Sequence, residues 1–496
     1  MLELVDLNVK TDKEQYKSEI VQYKKQLILL EQEIKKKNLP VIILFEGFGA
    51  SGKGSMISKT ISCLDPRSFM VYSTTAATDA EKRMPLMHRF WKVIPEKGRM
   101  TILDRSWYQE TARAFLENGI SEKEYIHRLD MMNLFERQLT DDGYLIVKFF
   151  LHIDKHEQKK RFEKLMESKV TAWRVNEMDL KRNKKYDKYF SAYDGMLNYT
   201  NTDYAPWNII PSNDKRTAVL AIYKALCNSI RTALDGSGEI SATLKGKQVE
   251  KQQFEPLKMP ALNEIDLSPS LTDEEYETEL EHEQKKLSKL HSKLYEQKIP
   301  VIIAFEGWDA AGKGGNIRRI SAALDPRGYE AVPVAAPDKH ELNRHYLWRF
   351  WNKLPKTGHI AIFDRTWYGR VMVERLENLT PESRWSMAYQ EMNEFENELT
   401  DSGTIVLKFW LQIDKDEQLK RFNERQNTPE KQWKITDEDW RNREKWDKYE
   451  VAVNEMIAKT STEFAPWHII PANDKKYARI ATLKIINKVL EEKLEK

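Results

Sequence analysis

Cysteine is nearly missing from this chain of 496 residues, which holds only Cys63 and Cys227. They stand in no metal-ligand or redox spacing, so a disulfide-stapled or thiolate-zinc protein is excluded and a reducing compartment is expected. Long hydrophobic runs are absent too. The longest are strand-sized, which leaves no segment able to span a membrane. The opening stretch MLELVDLNVKTDKEQ lacks the basic start and apolar core of a secretory signal, so the expected location is cytoplasmic. Neither sign of charge is in excess: 80 basic less 77 acidic residues leaves +3. A general polyanion binder would be more basic, so nucleic acid is not an expected partner and any anion must be gripped locally.

What is present describes a globular protein. Hydrophobic residues make up 41% and charged residues 32%, and the length allows two or three domains with a large core. An internal repeat dominates the organisation. Gly47 and Gly307, Asp104 and Asp364, and Trp207 and Trp467 are each 260 positions apart. Residues 41–220 and 301–480 align without a gap at 70 identities in 180 positions, which makes the chain two homologous domains. Each copy opens with an amphipathic helix, its apolar face formed by Tyr16, Ile20, Leu27, Leu30 and Ile34, or by Tyr276, Leu280, Leu287, Leu290 and Leu294. Thr272 and Glu275 form a capping-box pattern before the second. Near-continuous apolar strands follow (PVIILFEG and PVIIAFEG, MTILDR and HIAIFDR, YLIVKFFLHID and TIVLKFWLQID, WNIIPS and WHIIPA) with helical patterns between them. That alternation predicts an α/β fold, a parallel sheet covered on both faces in each copy. The domains are expected at 1–236 and 272–496. The polar, Gly/Ser/Pro-bearing stretch 237–271 is their linker.

Behind the first strand of each copy stands Gly-x-x-x-x-Gly-Lys: GFGASGK and GWDAAGK. A strand, this loop and then a helix form a phosphate cradle, in which glycines admit backbone N–H groups and the lysine adds a positive charge. Gly307, Gly312 and Lys313 fit, as do Gly47, Gly52 and Lys53. The usual Ser or Thr after the lysine, a magnesium ligand, is replaced by Gly314 or Gly54. Mg2+ must then be held by other groups. Asp309 in the loop and Asp364 at the end of the strand HIAIFD are placed for it. Asp364 also suits a helix cap after its strand, but Arg365 and Arg370 stand beside it, and two arginines beside an acid suit phosphate chemistry. The first copy keeps Asp104 and Arg105 but has Gly49 for Asp309, Glu110 for Arg370 and Leu165 for Arg425. One metal ligand and two cations are lost together, so only the second copy reads as a complete site. The basic run KQWKITDEDWRNREKWDK at 431–448 is either a solvated helix face or part of an anion grip.

GWDAAGKGG, GHIAIFDRTWYGRVMVERLEN, KRFNERQNTPEKQWK and EFAPWHIIPANDKKYAR, in this order, resemble the polyphosphate kinase 2 family over nearly all of both repeats. The resemblance implies two tandem P-loop kinase domains of the thymidylate-kinase type, each with a helical lid. Two fused copies are similar to the family's class II members, which use inorganic polyphosphate and Mg2+ to convert AMP to ADP at the C-terminal copy. It further implies that Gly307, Asp309, Gly312, Lys313, Gly314 and Gly315 hold phosphate and metal. Asp364 would be the second acid, Arg365 and Arg370 phosphate clamps, and Arg421 and Arg425 lid arginines closing on the phosphate chain, with Lys434 beside them. Trp348, Arg349 and Trp351 belong to a family-like block whose aromatics also suit a core. The two halves are expected to associate as an internal pseudo-dimer. An ATP-dependent nucleoside monophosphate kinase shares the fold and loop, and a non-enzymatic polyphosphate-binding scaffold is the alternative outside catalysis.

Overall fold

A computed structural model describes residues 1–236 and 244–495 in two compact units. Residues 237–243, the start of the expected linker, lie outside the described residues.

The first unit is built on five parallel strands, β1 Val41–Gly47, β2 Phe69–Ser73, β3 Met100–Asp104, β4 Leu145–His152 and β5 Trp207–Pro211, in the order β2-β3-β1-β4-β5. The second repeats this with β6 Val301–Gly307, β7 Tyr329–Pro333, β8 Ile360–Asp364, β9 Ile405–Gln412 and β10 Trp467–Pro471, in the order β7-β8-β6-β9-β10. β6 and β9 are buried along nearly their whole length, which is why their sequences show no polar alternation. Register places Phe305 of β6 opposite both Asp364 and Phe409. The chain therefore leaves β6 in the crevice between β8 and β9, where an open α/β sheet presents its binding loops.

The opening helices form as the sequence patterns require. Lys13–Lys36 buries Ile20, Leu27, Leu30 and Ile34. In the second unit the Thr272/Glu275 capping box starts Asp273–Gln297. Trp351 is buried and stacks edge-on against Phe395, and the segment Trp348–Trp351 is a short helix of the core. Behind β9 lies a charge the sequence reading did not single out. Lys408, fully buried, donates to Glu396 at 2.7 Å, to the Tyr368 hydroxyl at 2.9 Å and to the Thr460 carbonyl at 2.6 Å. Lys148 and Glu136 repeat this pair in the first unit at 2.7 Å.

Neither unit is one continuous stretch of chain. The first contains Met1–Ala77, Arg89–Lys251 and Lys339–His345; the second contains Thr78–His88, Gln252–Asp338 and Tyr346–Lys496. In the first unit Glu96 receives His340 at 2.8 Å and Arg344 at 3.1 Å, and the Lys97 N–H donates to Asn343 at 2.8 Å. In the second, the Thr357 N–H donates to the Arg83 carbonyl at 2.9 Å. The segment that follows the second strand of each repeat thus belongs to the other unit. The described part of the linker stretch is divided as well. Residues 244–251 lie with the first unit, where Lys247 bridges Thr202; residues 252–271 lie with the second, where Leu262 is buried.

Candidate active site

The loop after β6 owes its shape to three residues in unusual backbone conformations. Gly307 has φ +152°, and a Cβ there would fall 2.9 Å from the Leu411 carbonyl oxygen, so no side chain fits. Ala310 and Gly312 follow at φ +65° and +112°. The loop wraps its own lysine: Lys313 Nζ donates to the Gly307 carbonyl at 2.8 Å and to that of Trp308 at 3.4 Å. Gly312 precedes the helix Lys313–Ser321, whose first turn includes Gly314 and Gly315. A nest of backbone amides at a helix N-terminus is thereby formed around a cation.

Arg421 holds this loop from outside. Its guanidinium donates to the carbonyls of Ala310 and Ala311 at 3.0 Å each, Ala472 at 2.7 Å and Asn473 at 2.9 Å, and to Glu417 at 2.7 Å. Only 2% of it is exposed, and no donor remains for a substrate. The expected closing of Arg421 onto a phosphate chain is therefore corrected: it is a brace of the loop. Arg161 does the same in the first unit, on Ala50, Ser51, Ser212 and Asn213. Arg425, one turn on, is half-buried and within electrostatic range of Asp439 and Asp309. Burial draws its pKa down while those acids oppose the shift.

The end of β8 supplies the second half of the site. Arg365 has φ +65°, an uncommon conformation for a bulky residue, and is fixed in it by its N–H bond to the Phe305 carbonyl at 3.1 Å. The next residue, Thr366, donates its N–H and hydroxyl to Glu306 at 2.7 Å each. Arg365 reaches Asp309 at 3.6 Å. The other Asp309 oxygen accepts from Asn442 at 3.0 Å, and the Tyr449 hydroxyl donates to Asn442 at 3.3 Å. Burial works against the charge of Arg365, but Asp309 and then Glu306 outweigh it and its pKa lies above the ordinary arginine value. Burial pushes the Glu306 carboxyl upward, with Lys313 opposing. Lys313, Asp309, Arg365, Glu306, Trp308 and Asn442 all line one cavity of about 80 Å³. A larger, open groove beside Asp416 and Lys420 contains none of the loop residues.

Other expected residues lie apart. Arg370 is tied to Glu374 and Thr380 and stacks 4.4 Å above the Tyr346 ring, outside the lining of the cavity. These contacts hold it in the turn after β8, apart from the cavity lining that the expected clamp position would occupy. Asp364 is half-buried, and among the described residues its carboxylate takes no hydrogen bond or ion pair. The Lys434 side chain lies outside the described residues. Sequence reasoning passed over Glu306, Asn442 and Trp308. Trp308 stacks on Trp446 at 3.6 Å and donates to Gln412 at 2.9 Å, closing one wall. The repeat carried a signal for one of the three: Glu46 matches Glu306, whereas Arg182 stands where Asn442 does and Phe48 where Trp308 does.

Two carboxylates beside a phosphate-type loop are hard oxygen donors of the kind Mg2+ takes. Among the described residues the Asp364 carboxylate takes no hydrogen bond or ion pair, and that of Asp309 takes one ion pair, with Arg365, and one hydrogen bond, from Asn442. The residues fit such an ion.

The model of the polyphosphate kinase 2 family matches residues 10–236 and 270–496. The chain belongs to the polyphosphate kinase 2 family. A protein of Pseudomonas aeruginosa named polyphosphate:AMP phosphotransferase is 38% identical over 99% of both chains. One of the same name from Acinetobacter johnsonii is 35% identical over 97% of this chain and 96% of its own. A crystal structure of a polyphosphate kinase 2 from Pseudomonas aeruginosa superposes with a TM-score of 0.86 at 37% identity, covering 100% of this chain and 99% of that one. Both units therefore share the family's α/β domain. Among the described residues no helix is long and apolar enough to cross a membrane.

Proposed function

We propose that this family member is a polyphosphate-dependent phosphotransferase that converts AMP to ADP at the cavity of the second unit, with Mg2+. Full-length relatives bearing the name polyphosphate:AMP phosphotransferase support the reaction. The observation that carries the choice of unit is Asp309, set in the loop against Arg365, where the first unit has Gly49.

In such a transfer a metaphosphate-like group passes in line between two oxygens, and catalysis is positioning plus charge stabilisation. The amides of the Gly307–Gly315 loop receive the transferring phosphate and Lys313 offsets its charge. Arg365 faces the same phosphate from the end of β8, poised by the Thr366–Glu306 bonds that fix its strained turn. Arg425 extends the positive wall along the donor chain, while Arg421 keeps the loop rigid beneath. Asp309 and Asp364 would hold Mg2+, which when bound supplies the charge that lets two anions approach. AMP phosphate is already ionised near neutral pH, so no protein base is assigned. Trp308 and Trp446 shut out water from one side.

The test is to incubate the protein with Mg2+ and AMP plus either long-chain polyphosphate or ATP, and to follow ADP. ADP with polyphosphate alone is expected. ADP only with ATP would transfer the chain to the nucleotide kinases and overturn the donor.

A further inference from the structure

The first unit has kept its phosphate loop while exchanging the charges around it. Gly47 and Gly52 hold positive φ (+138° and +103°), and Lys53 Nζ curls onto the Gly47 carbonyl at 2.8 Å, as Lys313 does in the second unit. The helix Lys53–Ile61 begins there, so the amide nest is intact. Arg161 braces it with all four carbonyl contacts. A loop that had become mere filler would not need these features.

Around that loop the acids have gone and a base has come in. Gly49 replaces Asp309, Met178 replaces Glu438, and Arg113 replaces Val373, each of the three second-unit residues being part of the cavity lining. Arg105 and Arg113 hold no ion pair or side-chain hydrogen bond among the described residues, although Glu46 acts on Arg105 and Glu117 on Arg113 through their charges. Among the described residues Lys53 Nζ bonds to two carbonyls, those of Gly47 and Phe48. The nearby acids are mostly committed: Glu117 to Arg182 at 2.8 Å, Glu110 to Arg89 at 3.6 Å, and Glu46 to Ser106 at 2.7 Å. Asp104 takes no side-chain hydrogen bond or ion pair among the described residues, and its charge acts on Lys53. Within the loop itself Ser51, where the second unit has Ala311, buries a hydroxyl that finds no hydrogen-bond partner.

We infer that the first unit binds a phosphoanhydride-type anion directly, with no divalent cation, through its loop amides, Lys53, Arg105 and Arg113. Three cations, Lys53, Arg105 and Arg113, outnumber the two acids that act on Lys53, Glu46 and Asp104, and a surplus of like charge favours a bound anion. Burial first, then the charge of Arg105, brings Lys53 down to about 8, with Glu46 and Asp104 opposing. Arg113 is drawn down in the same way, by burial first and then by Arg182 and Arg105. Where the second cleft needs a metal to make its carboxylates compatible with phosphate, the first has its positive charge built in. The inference shares with the proposed function only the reading of the loop as a phosphate cradle and needs no turnover.

It is tested by calorimetric titration of the full chain in EDTA with tripolyphosphate, and in parallel arms with AMP and ADP. We expect saturable tripolyphosphate binding that survives Lys313→Ala, weakens at least about tenfold in Arg113→Val, and recovers in part in Arg113→Lys. Valine is the residue of the second repeat at this position, so the variant suits the local shape; Lys53→Ala gives a second, independent loss. Preference for tripolyphosphate over ADP assigns the site to the inorganic chain, and the reverse order to a nucleotide's phosphates. No binding in EDTA, or binding lost in Lys313→Ala but kept in Arg113→Val, overturns the inference. Failure of AMP phosphorylation in the earlier assay would leave this result untouched, because EDTA binding is read without catalysis.

Discussion

Asp309 and Lys313 line one small cavity, and each should be indispensable. Asp309→Ala and Lys313→Ala are expected to lower turnover by roughly 10²–10³-fold, as loss of a transition-state contact does. Asp104→Ala should leave turnover within about threefold, since Asp104 belongs to the first unit. Equal losses from Asp104→Ala and Asp309→Ala in steady-state assays would refute a single working site. The two arginines of helix Lys415–Asn427 should separate cleanly. Arg421→Ala leaves four loop and strand-end carbonyls without their donor and is expected to cost about 3–5 kcal/mol of stability. Arg425→Ala should reduce activity while urea denaturation shifts by no more than about 0.5 kcal/mol. The sequence placed both on one helix at i and i+4. Their opposite fates depend on which side of that helix the loop carbonyls occupy, and residue spacing carries no information about that.

At the scale of elements, a charge buried behind a strand should matter for folding. Lys408 on β9 is satisfied by Glu396, Tyr368 and Thr460, so Lys408→Met strands the Glu396 carboxylate in the core. A loss of about 3–5 kcal/mol in chemical denaturation is expected. Glu398, on helix Glu382–Asp401, is a different case: burial, then Asp401 and Glu394, push its carboxyl up to about 8. Its folded pKa lies above the ordinary 4.5, so the folded state holds the proton longer and stability falls as pH rises from there to about 8. Glu398→Gln, which installs the residue found at Gln138 in the first repeat, should therefore raise Tm more at pH 9 than at pH 5. A difference of at least about 3 °C is expected, at roughly 2–4 °C per kcal/mol. A gain independent of pH in calorimetric scans would contradict the origin assigned to it.

For the whole molecule the decisive feature is the exchange of short segments. The second unit includes Thr78–His88 from the first repeat, which a piece spanning residues 252–496 would lack. That piece is expected to melt several °C below the second-unit transition of the full chain, for a loss of about 1–2 kcal/mol. An unchanged melting temperature would mean that the exchanged segment adds nothing to that unit.

The sequence by itself determined much of this protein. Repeats of constant offset, near-continuous apolar strands and the glycine-rich loops specify two parallel α/β domains, because periodicity and backbone permissiveness are written residue by residue. Four ordered motifs placed the chain beside its family, and the loss of Asp309's counterpart pointed to the second copy. Only the tertiary structure decided what each charge faces. It turned Arg421 into a brace and tied Arg370 to Glu374 and Thr380. It also brought Glu306 and Asn442 into the cavity and gave each unit a piece of the other repeat. The reason is physical: a side chain's partner is set by distances between residues tens or hundreds of positions apart. Those distances exist only once the sheet has fixed the ends of its strands.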